Sequence, residues 1–488
     1  MEGLARKFHL VEDFDKSTIG NYNLLPSRFI KQESGNYLLT NEVGEFLFLG
    51  REDLEKYVRK KLSSSDPLYH DLKAKHFLYD EDSNVALDLL SLKYRSKSQR
   101  VSDFTALHIF VVTLRCDYSC PYCQVSRQTD NKTAYDMSEE VAERSLDLVF
   151  ESPSNNIKIE FQGGEPTLNM RLIKKIVLDA KKRNETEKRS LGFVVASNLS
   201  YMGSDELDFF IEHNVEISTS LDGPQHLHDK NRPRPGEKSY SLVNRRLSEL
   251  RDTVGPEKVD ALMTTTEASL DHPEAIIDEY LRQGFTGIFL RPLSPYGFAV
   301  KTRQAYKYDT ERWLHFYKRG LNYVLHLNES GVEFVEFYTQ ILLNKIFSPF
   351  GTSYVDLQSP AGTGISALVY NYDGKVFASD EGRMLAEMGD RTFEMGDVLN
   401  NTYNEIFLND TFLDTIEDSL SESSPMCSEC AYLQYCGSDP VYHHATQGDV
   451  VGHKALSGFC SKNMGMLDHI FSILEEDGSK ANILKRWL

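Results

Sequence analysis

Cys116, Cys120 and Cys123 stand at spacing C-x3-C-x2-C within "VVTLRCDYSCPYCQVSRQ". Three thiolates this close in sequence can wrap one iron–sulfur cubane, and a 4Fe-4S cluster held by three cysteines keeps one iron free of protein ligands. An open iron suits a cluster that must bind a ligand; an electron carrier has all of its irons held by protein. On its own the spacing also fits a zinc loop or chance. The apolar run "LHIFVVT" ahead of Cys116 reads as a buried parallel strand. That puts the cysteine loop at a strand's C-terminal end, where βα barrels keep their active sites.

A second motif follows. "FQGGEPTL" comes after the strand-like "IKIE" and brings Gly163, Gly164, Glu165 and Pro166; glycines there let the backbone approach a ligand closely. The two motifs in this order resemble the radical S-adenosylmethionine (radical SAM) enzymes. The resemblance implies that the open iron chelates the amino and carboxylate groups of S-adenosylmethionine, that Tyr122 lies near the adenine, and that Gly163, Gly164 and Glu165 hold the methionine amino group. It also assigns Gln162 and Arg232 to the cofactor's methionyl end and Ser220 to its polar periphery, with Ser197 and Asn198 at matching positions. Taken singly, each of these polar residues also fits loop capping or turn chemistry, and Asp222 in "SLDGP" reads as a turn residue. Arg291 in "LRPLSP" faces either the substrate or a rim salt bridge.

These motifs sit in a run of alternating elements over residues 101–303. Strands are expected at "LHIFVVT", "IKIEFQ", "LGFVVASN", "VEISTSLD", "VDALMTTT" and "GIFLRPL", with amphipathic helices between them. Such alternation gives a parallel sheet wrapped by helices, and the resemblance implies an α/β fold with an open six-stranded (β/α)6 partial TIM barrel. Residues 1–100 read as a separate α+β unit. Three short strands ("NYNLLPSRFIKQ", "NYLLTNE", "EFLFLG") precede helices at "REDLEKYVRKKL", "PLYHDLKAKHFLY" and "NVALDLLSLKYR". The pattern resembles winged-helix peptide-recognition domains, in which a leader peptide adds a strand to the sheet edge; a purely structural extension is the alternative. The basic "LKYRSKSQR" reads as a solvated linker, and residues 304–350 as two bridging helices with packing aromatics.

Residues 351–488 hold the remaining cysteines, Cys427, Cys430, Cys436 and Cys460, at C-x2-C-x5-C-x23-C. Spacing alone does not separate a zinc site from a complete 4Fe-4S cluster. Resemblance to the SPASM class of radical SAM peptide maturases implies an auxiliary 4Fe-4S cluster and a SPASM/twitch-like domain. That class has a second, inner auxiliary cluster whose cysteine positions are here Ala361, Ser379 and Pro440, none of them an iron ligand, so two clusters are expected in all. Asp380 matches the aspartate that sulfatase-maturing relatives use as a base; a surface acid beside Glu381 is the alternative.

Composition narrows the function class. The 488 residues carry 54 Lys and Arg against 73 Asp and Glu, a net charge of −19 that repels nucleic-acid backbones. The lack of any long apolar run or signal-like start reads as cytoplasmic, with no membrane association. All seven cysteines fall in the two metal-like groups, which argues against a disulfide framework. Over most of its length the chain resembles the His-Xaa-Ser-system radical SAM maturases, through "YNLLPSRFI", "LYHDLKAKHFL" and "CSECAYLQYCGSDPVYHHATQGDVVGHK". This implies a precursor peptide with His-Xaa-Ser repeats, a second radical SAM protein and a reductant such as flavodoxin or ferredoxin. The activity implied is reductive cleavage of S-adenosylmethionine to a 5′-deoxyadenosyl radical that crosslinks or oxidises peptide side chains. Oxidation of a protein Ser or Cys, as in sulfatase maturases, and a scaffold role beside a partner enzyme are the alternatives.

Overall fold

The computed structural model of the protein describes residues 22–80, 85–102, 104–236 and 238–488. The first 21 residues of the N-terminal unit lie outside the described residues. The chain divides into two compact units. One comprises the residues through Lys97 together with Cys430–Gln434, and the other Ser98–Glu429 with Tyr435–Leu488.

In the smaller unit, β2 (Ser27–Lys31), β3 (Tyr37–Asn41) and β4 (Phe46–Leu49) form an antiparallel meander, and β1 (Tyr22–Leu24) pairs with β5 (Leu78–Asp80). The first expected strand is thus two, broken at Leu25 and Pro26. The segment "PLYHDLKAKHFLY", read as one helix, is helical only over Pro67–Ala74. His76 takes a positive φ and the chain turns into β5, where Asp80 accepts from Tyr69 Oη at 2.7 Å and Lys73 Nζ at 2.6 Å. Tyr22, Leu39, Leu49, Tyr57, Leu72 and Phe77 are among its core residues. The expected basic linker is instead the end of a helix, Val85–Ser98, and the turn after it.

The larger unit is built on an eight-stranded sheet. Five parallel strands carry the βα repeats: β6 (Leu107–Thr113), β7 (Asn156–Gly163), β8 (Ser190–Ala196), β9 (Val215–Ser220) and β10 (Val259–Leu262). Helices Glu139–Glu151, Met170–Glu187, Ser204–His213 and Ser239–Val254 fill the crossovers, the first capped by Ser138 Oγ on the Val141 N–H. β7 alternates: Ile157, Ile159 and Phe161 are buried, while Glu160 and Gln162 on the opposite face are partly accessible. The short helix Gln225–Asn231 between β9 and the next long helix was not expected.

The six-stranded barrel needs correction at its sixth strand. Only Gly287–Ile288 (β11) of "GIFLRPL" is extended, and it pairs in parallel with β12 (Val335–Glu336) in its own two-stranded sheet. Where a sixth barrel strand was expected, the main sheet continues on the opposite edge. There β13 (Ala367–Tyr370) pairs in parallel with β6, followed by antiparallel β14 (Lys375–Phe377) and β15 (Glu394–Asp397). The bridging segment is helical at Thr310–Glu329 and Phe337–Phe347, with Trp313, Phe316, Tyr317 and Leu321 buried as packing. Among the described residues no helix is long and apolar enough to cross a membrane.

His108 joins β6 to β13. Its Nε2 lies 3.1 Å from the Thr105 carbonyl, which can only accept, so the ring carries its proton there and Nδ1 accepts from Tyr370 Oη at 3.1 Å. Burial lowers its pKa to about 4. An unfolded histidine titrates near 6.5, so the unfolded chain binds an extra proton between those values, and this contribution to stability is lost as pH falls from about 6.5 to 4. Thermal unfolding should show a falling Tm across that window, with a shallower fall in His108→Gln. An unchanged slope in the variant would rule out this role for the ring.

Candidate active site

The cysteine loop is clamped at its base. Arg115, just past β6, is buried; its Nε and Nη2 donate to Asp136 at 2.6 and 2.8 Å and Nη2 also to the Leu168 carbonyl at 2.9 Å. The end of β7 lies against the same stretch, the Gly164 N–H donating to Thr113 O at 2.9 Å and the Glu165 N–H to Arg115 O at 2.7 Å. A Cβ at Gly163 would stand 1.8 Å from Thr113 O, and one at Gly164 2.3 Å from Arg115 O. The close approach expected toward a ligand is therefore made to the cysteine loop's own backbone.

The far side of the loop is pinned as well. Ser119 N–H donates to Pro233 O at 2.8 Å, Gln124 Nε2 to Ser294 O at 3.2 Å, and Phe298 N–H to Cys123 O at 2.7 Å. Gly297, at φ +57°, lets that last contact form, since a Cβ would lie 2.2 Å from Gln124 O. Gly297 was not singled out in the sequence; its position shortly after "LRPLSP" was the only hint.

A cavity of about 520 Å³ opens over the C-terminal ends of the strands. Cys116, Cys120 and Cys123 line it, as do Tyr122, Gln162, Gly163, Gly164, Ser197, Ser220, Arg232 and Asp380. Asn198 and Arg291 also line it. Glu165 does not. Its carboxylate is fully buried, with Oε1 accepting from Ser197 Oγ at 2.8 Å and Thr167 N–H at 3.1 Å and Oε2 from Asn198 N–H at 2.7 Å. Burial raises its pKa, and these donors oppose the rise. Through these bonds Glu165 ties the end of β7 to the end of β8.

Asp222, read as a turn residue, is a fully buried hub. It accepts from Tyr122 Oη at 2.6 Å, Arg232 Nη2 at 3.1 Å and the Thr264 N–H at 3.2 Å. The Arg232 guanidinium also lies 5.5 Å from the Tyr122 ring centroid. Arg232 is thus committed to Asp222 and Tyr122, and it orients that ring at the cavity wall. Gln162 donates to Glu160 at 2.6 Å, a carboxyl whose pKa burial raises. Across the cavity Asp380 accepts from Arg383 Nη2 at 2.7 Å, and fully buried Arg383 reaches Val125 O at 3.0 Å, beside the cysteine loop. Glu381 is pushed up to about 7 by burial and by the charges of Asp356 and Asp380. Asp356, which also lines the cavity, sits in no motif, and no sequence signal pointed to it.

The three-cysteine set fits a cluster. Burial pushes the Cys116 thiol well up and Cys120 up to about 12, so a bare thiol there keeps its proton and a thiolate needs a metal's charge. Cys116 Sγ already accepts from the Tyr118 N–H at 3.4 Å and Asn198 Nδ2 at 3.8 Å, the kind of bond that supports a cluster-bound thiolate. Among the described residues no three His, Cys, Asp or Glu side chains converge on a single-ion position; a cubane spreads its ligands over separate irons and does not need such convergence. Of the later cysteines, Cys427 is raised by burial and by nearby Cys436, and Cys460 lies in the first turn of helix Gly458–Glu476. Cys430 belongs to the smaller unit.

The family profile described as the radical SAM superfamily matches residues 110–279. Residues 110–279, about a third of the chain, thus carry a radical SAM domain. That domain implies a 4Fe-4S cluster and S-adenosylmethionine as cofactors. Among curated relatives, the uncharacterized protein MJ0907 of Methanocaldococcus jannaschii is 31% identical over 134 residues, covering 28% of this chain and 44% of that one. The chain thus matches less than half of that relative's length. A cysteine-type anaerobic sulfatase-maturating enzyme of Clostridium perfringens is 21% identical over 334 residues, 66% of this chain and 84% of that one. Among solved structures, native anSMEcpe with bound AdoMet superposes at a TM-score of 0.64 with 18% identity, covering 78% of this chain and 100% of that one. Streptococcus suis SuiB bound to precursor peptide SuiA gives 0.51 with 12% identity, covering 88% and 98%. At these identities the two structures establish a shared fold.

The Asp222–Arg232 pair is testable apart from turnover. Asp222→Ala leaves the Arg232 cation buried without its partner and should cost on the order of 3–5 kcal/mol, measured by denaturant or thermal unfolding. Adding Arg232→Met should recover most of that loss; a double variant no more stable than the single one would contradict the pairing.

Proposed function

We propose that the chain is a peptide maturase that crosslinks or oxidises side chains of a ribosomally made precursor, of the His-Xaa-Ser-system kind. The observation that carries the reading is the 520 Å³ cavity, which has the cysteine loop on one wall and the carboxylates Asp380, Glu381 and Asp356 on another. A hydrogen-abstracting site and proton-accepting groups then share one cleft of the size small-molecule sites use. The likeness to SuiB, solved with a precursor peptide, supports a peptide substrate.

In this reading Cys116, Cys120 and Cys123 hold the catalytic 4Fe-4S cluster, and the rim of Tyr122, Gln162, Gly163, Gly164, Ser197, Ser220 and Arg232 holds S-adenosylmethionine. Together the two groups supply one-electron chemistry that takes a hydrogen atom from an unactivated C–H bond. The chain's part is to orient and to exclude water. Asp222 and Arg232 fix the Tyr122 ring, Glu165 locks two strand ends, and Asp380, held by Arg383, is placed to accept the proton the oxidised side chain releases. Cys427, Cys430, Cys436 and Cys460 hold an auxiliary 4Fe-4S cluster as electron acceptor, with no iron at the Ala361, Ser379 and Pro440 positions. The smaller unit docks the leader peptide as a winged-helix-like domain. The partners are a precursor with His-Xaa-Ser repeats, a second radical SAM protein and a flavodoxin- or ferredoxin-like reductant, and the setting is the cytoplasm.

A second reading, oxidation of a protein Ser or Cys, draws on the relatives named as sulfatase-maturating enzymes and on Asp380. Product mass separates the two: a crosslink removes two hydrogens and tethers residues through proteolysis, whereas an aldehyde reacts with hydrazides. The primary test is anaerobic reconstitution with iron and sulfide counts and 5′-deoxyadenosine release. About eight irons, with release abolished when Cys116, Cys120 and Cys123 are all changed to Ala, are expected. About four irons plus zinc would reassign the C-terminal cysteines, and fully loaded protein without release would overturn the proposal.

A further inference from the structure

Behind the active-site cavity lies a second one of about 280 Å³, and Phe289, Arg291, Tyr354, Asp356 and Glu381 line both. The inner cavity adds a third carboxylate, Asp439, and one more cation, Lys462. Asp439 and Glu381 lie one and two positions from Pro440 and Ser379, where the SPASM resemblance would put cluster cysteines. Acidic side chains therefore gather next to positions from which iron ligands are missing.

Lys462 and Arg291 offset these acids through space only, without a direct ion pair among the described residues. Lys462 is drawn over the rings of Tyr338 and Phe459, at 5.3 and 5.1 Å, and no carboxylate of the cluster lies within salt-bridge distance of it or of Arg291 among the described residues. Asp439 Oδ1 accepts the Tyr442 N–H at 2.8 Å. Burial first, and then repulsion from Asp356 and Asp380 at Glu381 and from Asp356 and Glu381 at Asp439, raises the pKa of both groups. A second observation is independent of the acids. Tyr296 and Trp313, each 1% exposed, line the same cavity, and neither Tyr296 Oη nor Trp313 Nε1 has a hydrogen-bond partner among the described residues. A buried hydroxyl without a partner costs free energy unless a ligand supplies one. Tyr296 Oη can accept a hydrogen bond, and aromatic faces attract organic cations. A single metal ion is a poorer match, since no three such ligands converge among the described residues.

We propose that the inner cavity is a subsite for a basic side chain of the substrate peptide, which enters through the outer cavity and is held by Asp356, Glu381 and Asp439 with Tyr296 Oη as a further acceptor. The identity of the occupant as a peptide side chain rests on the maturase reading; the cation selectivity of the cavity does not. Anchoring a basic residue there fixes which neighbouring residue of the peptide faces the cysteine loop, so the cavity sets the register of modification.

The test is thermal unfolding of the anaerobically reconstituted full chain with n-butylammonium chloride, against sodium chloride at equal ionic strength and n-butanol. The amine is expected to raise Tm by about 2 °C or more over the salt control and butanol to do nothing. The Asp356→Asn/Glu381→Gln double variant should lose that shift. No shift with the amine, or a shift that survives in the double variant, overturns the subsite, as does calcium chloride giving the shift that the amine fails to give. Asp356→Asn supplies a second readout: relieving repulsion among acids should raise the Tm of the cation-free chain, and a lowered Tm would mark a structural ion pair and overturn the proposal. Peptide product without a cation shift removes only the subsite; a cation shift without peptide product removes only the maturase reading.

Discussion

The site depends on one close contact between backbones. At the C-terminal edge of the sheet the glycine pair after β7 lies on the carbonyls of Thr113 and Arg115, in a space that no side chain fits. This contact fixes where the cysteine loop leaves the sheet, and the Arg115–Asp136 ion pair holds the same point from the other side. A loop anchored this way can keep three sulfurs ordered before any metal arrives, which lowers the ordering cost of cluster assembly.

Around that point buried charges act as fasteners. Glu165 and Asp222 are both fully buried, and their partners come from strands and loops far away in sequence. Burying a carboxylate is costly unless hydrogen bonds satisfy it, so each of these groups stabilises only one arrangement of its neighbours. The chain uses them where the strand ends would otherwise splay, and the cavity wall inherits their rigidity.

Much of this was legible in the sequence. The unbroken apolar run of β6 and the cysteine spacing placed the loop, because a parallel strand buried on both faces leaves that pattern. The helices between strands were legible through their amphipathic periodicity, as in Glu139–Glu151. The sixth strand was misread because "GIFLRPL" is apolar enough for a strand, while its pairing partner, Val335–Glu336, is set by tertiary contacts. The roles of Glu165 and Asp222 stayed hidden for a related reason. Their donors, Asn198 and Tyr122, lie 33 and 100 positions away, and no local pattern encodes such a meeting. Asp356 belongs to no motif and acquires meaning only from the cavity it lines.

The pairing of β13 with β6 also bears on how the chain is made. His108 and Tyr370, which meet across that seam, are 262 positions apart. During synthesis the first barrel strand therefore emerges long before its edge partner, and it presents an open row of peptide groups to solvent until the ribosome has translated most of the chain. The sheet therefore closes late at this seam, a non-local pairing whose loop-closure entropy is the cost of placing both walls of the cavity on adjacent strands.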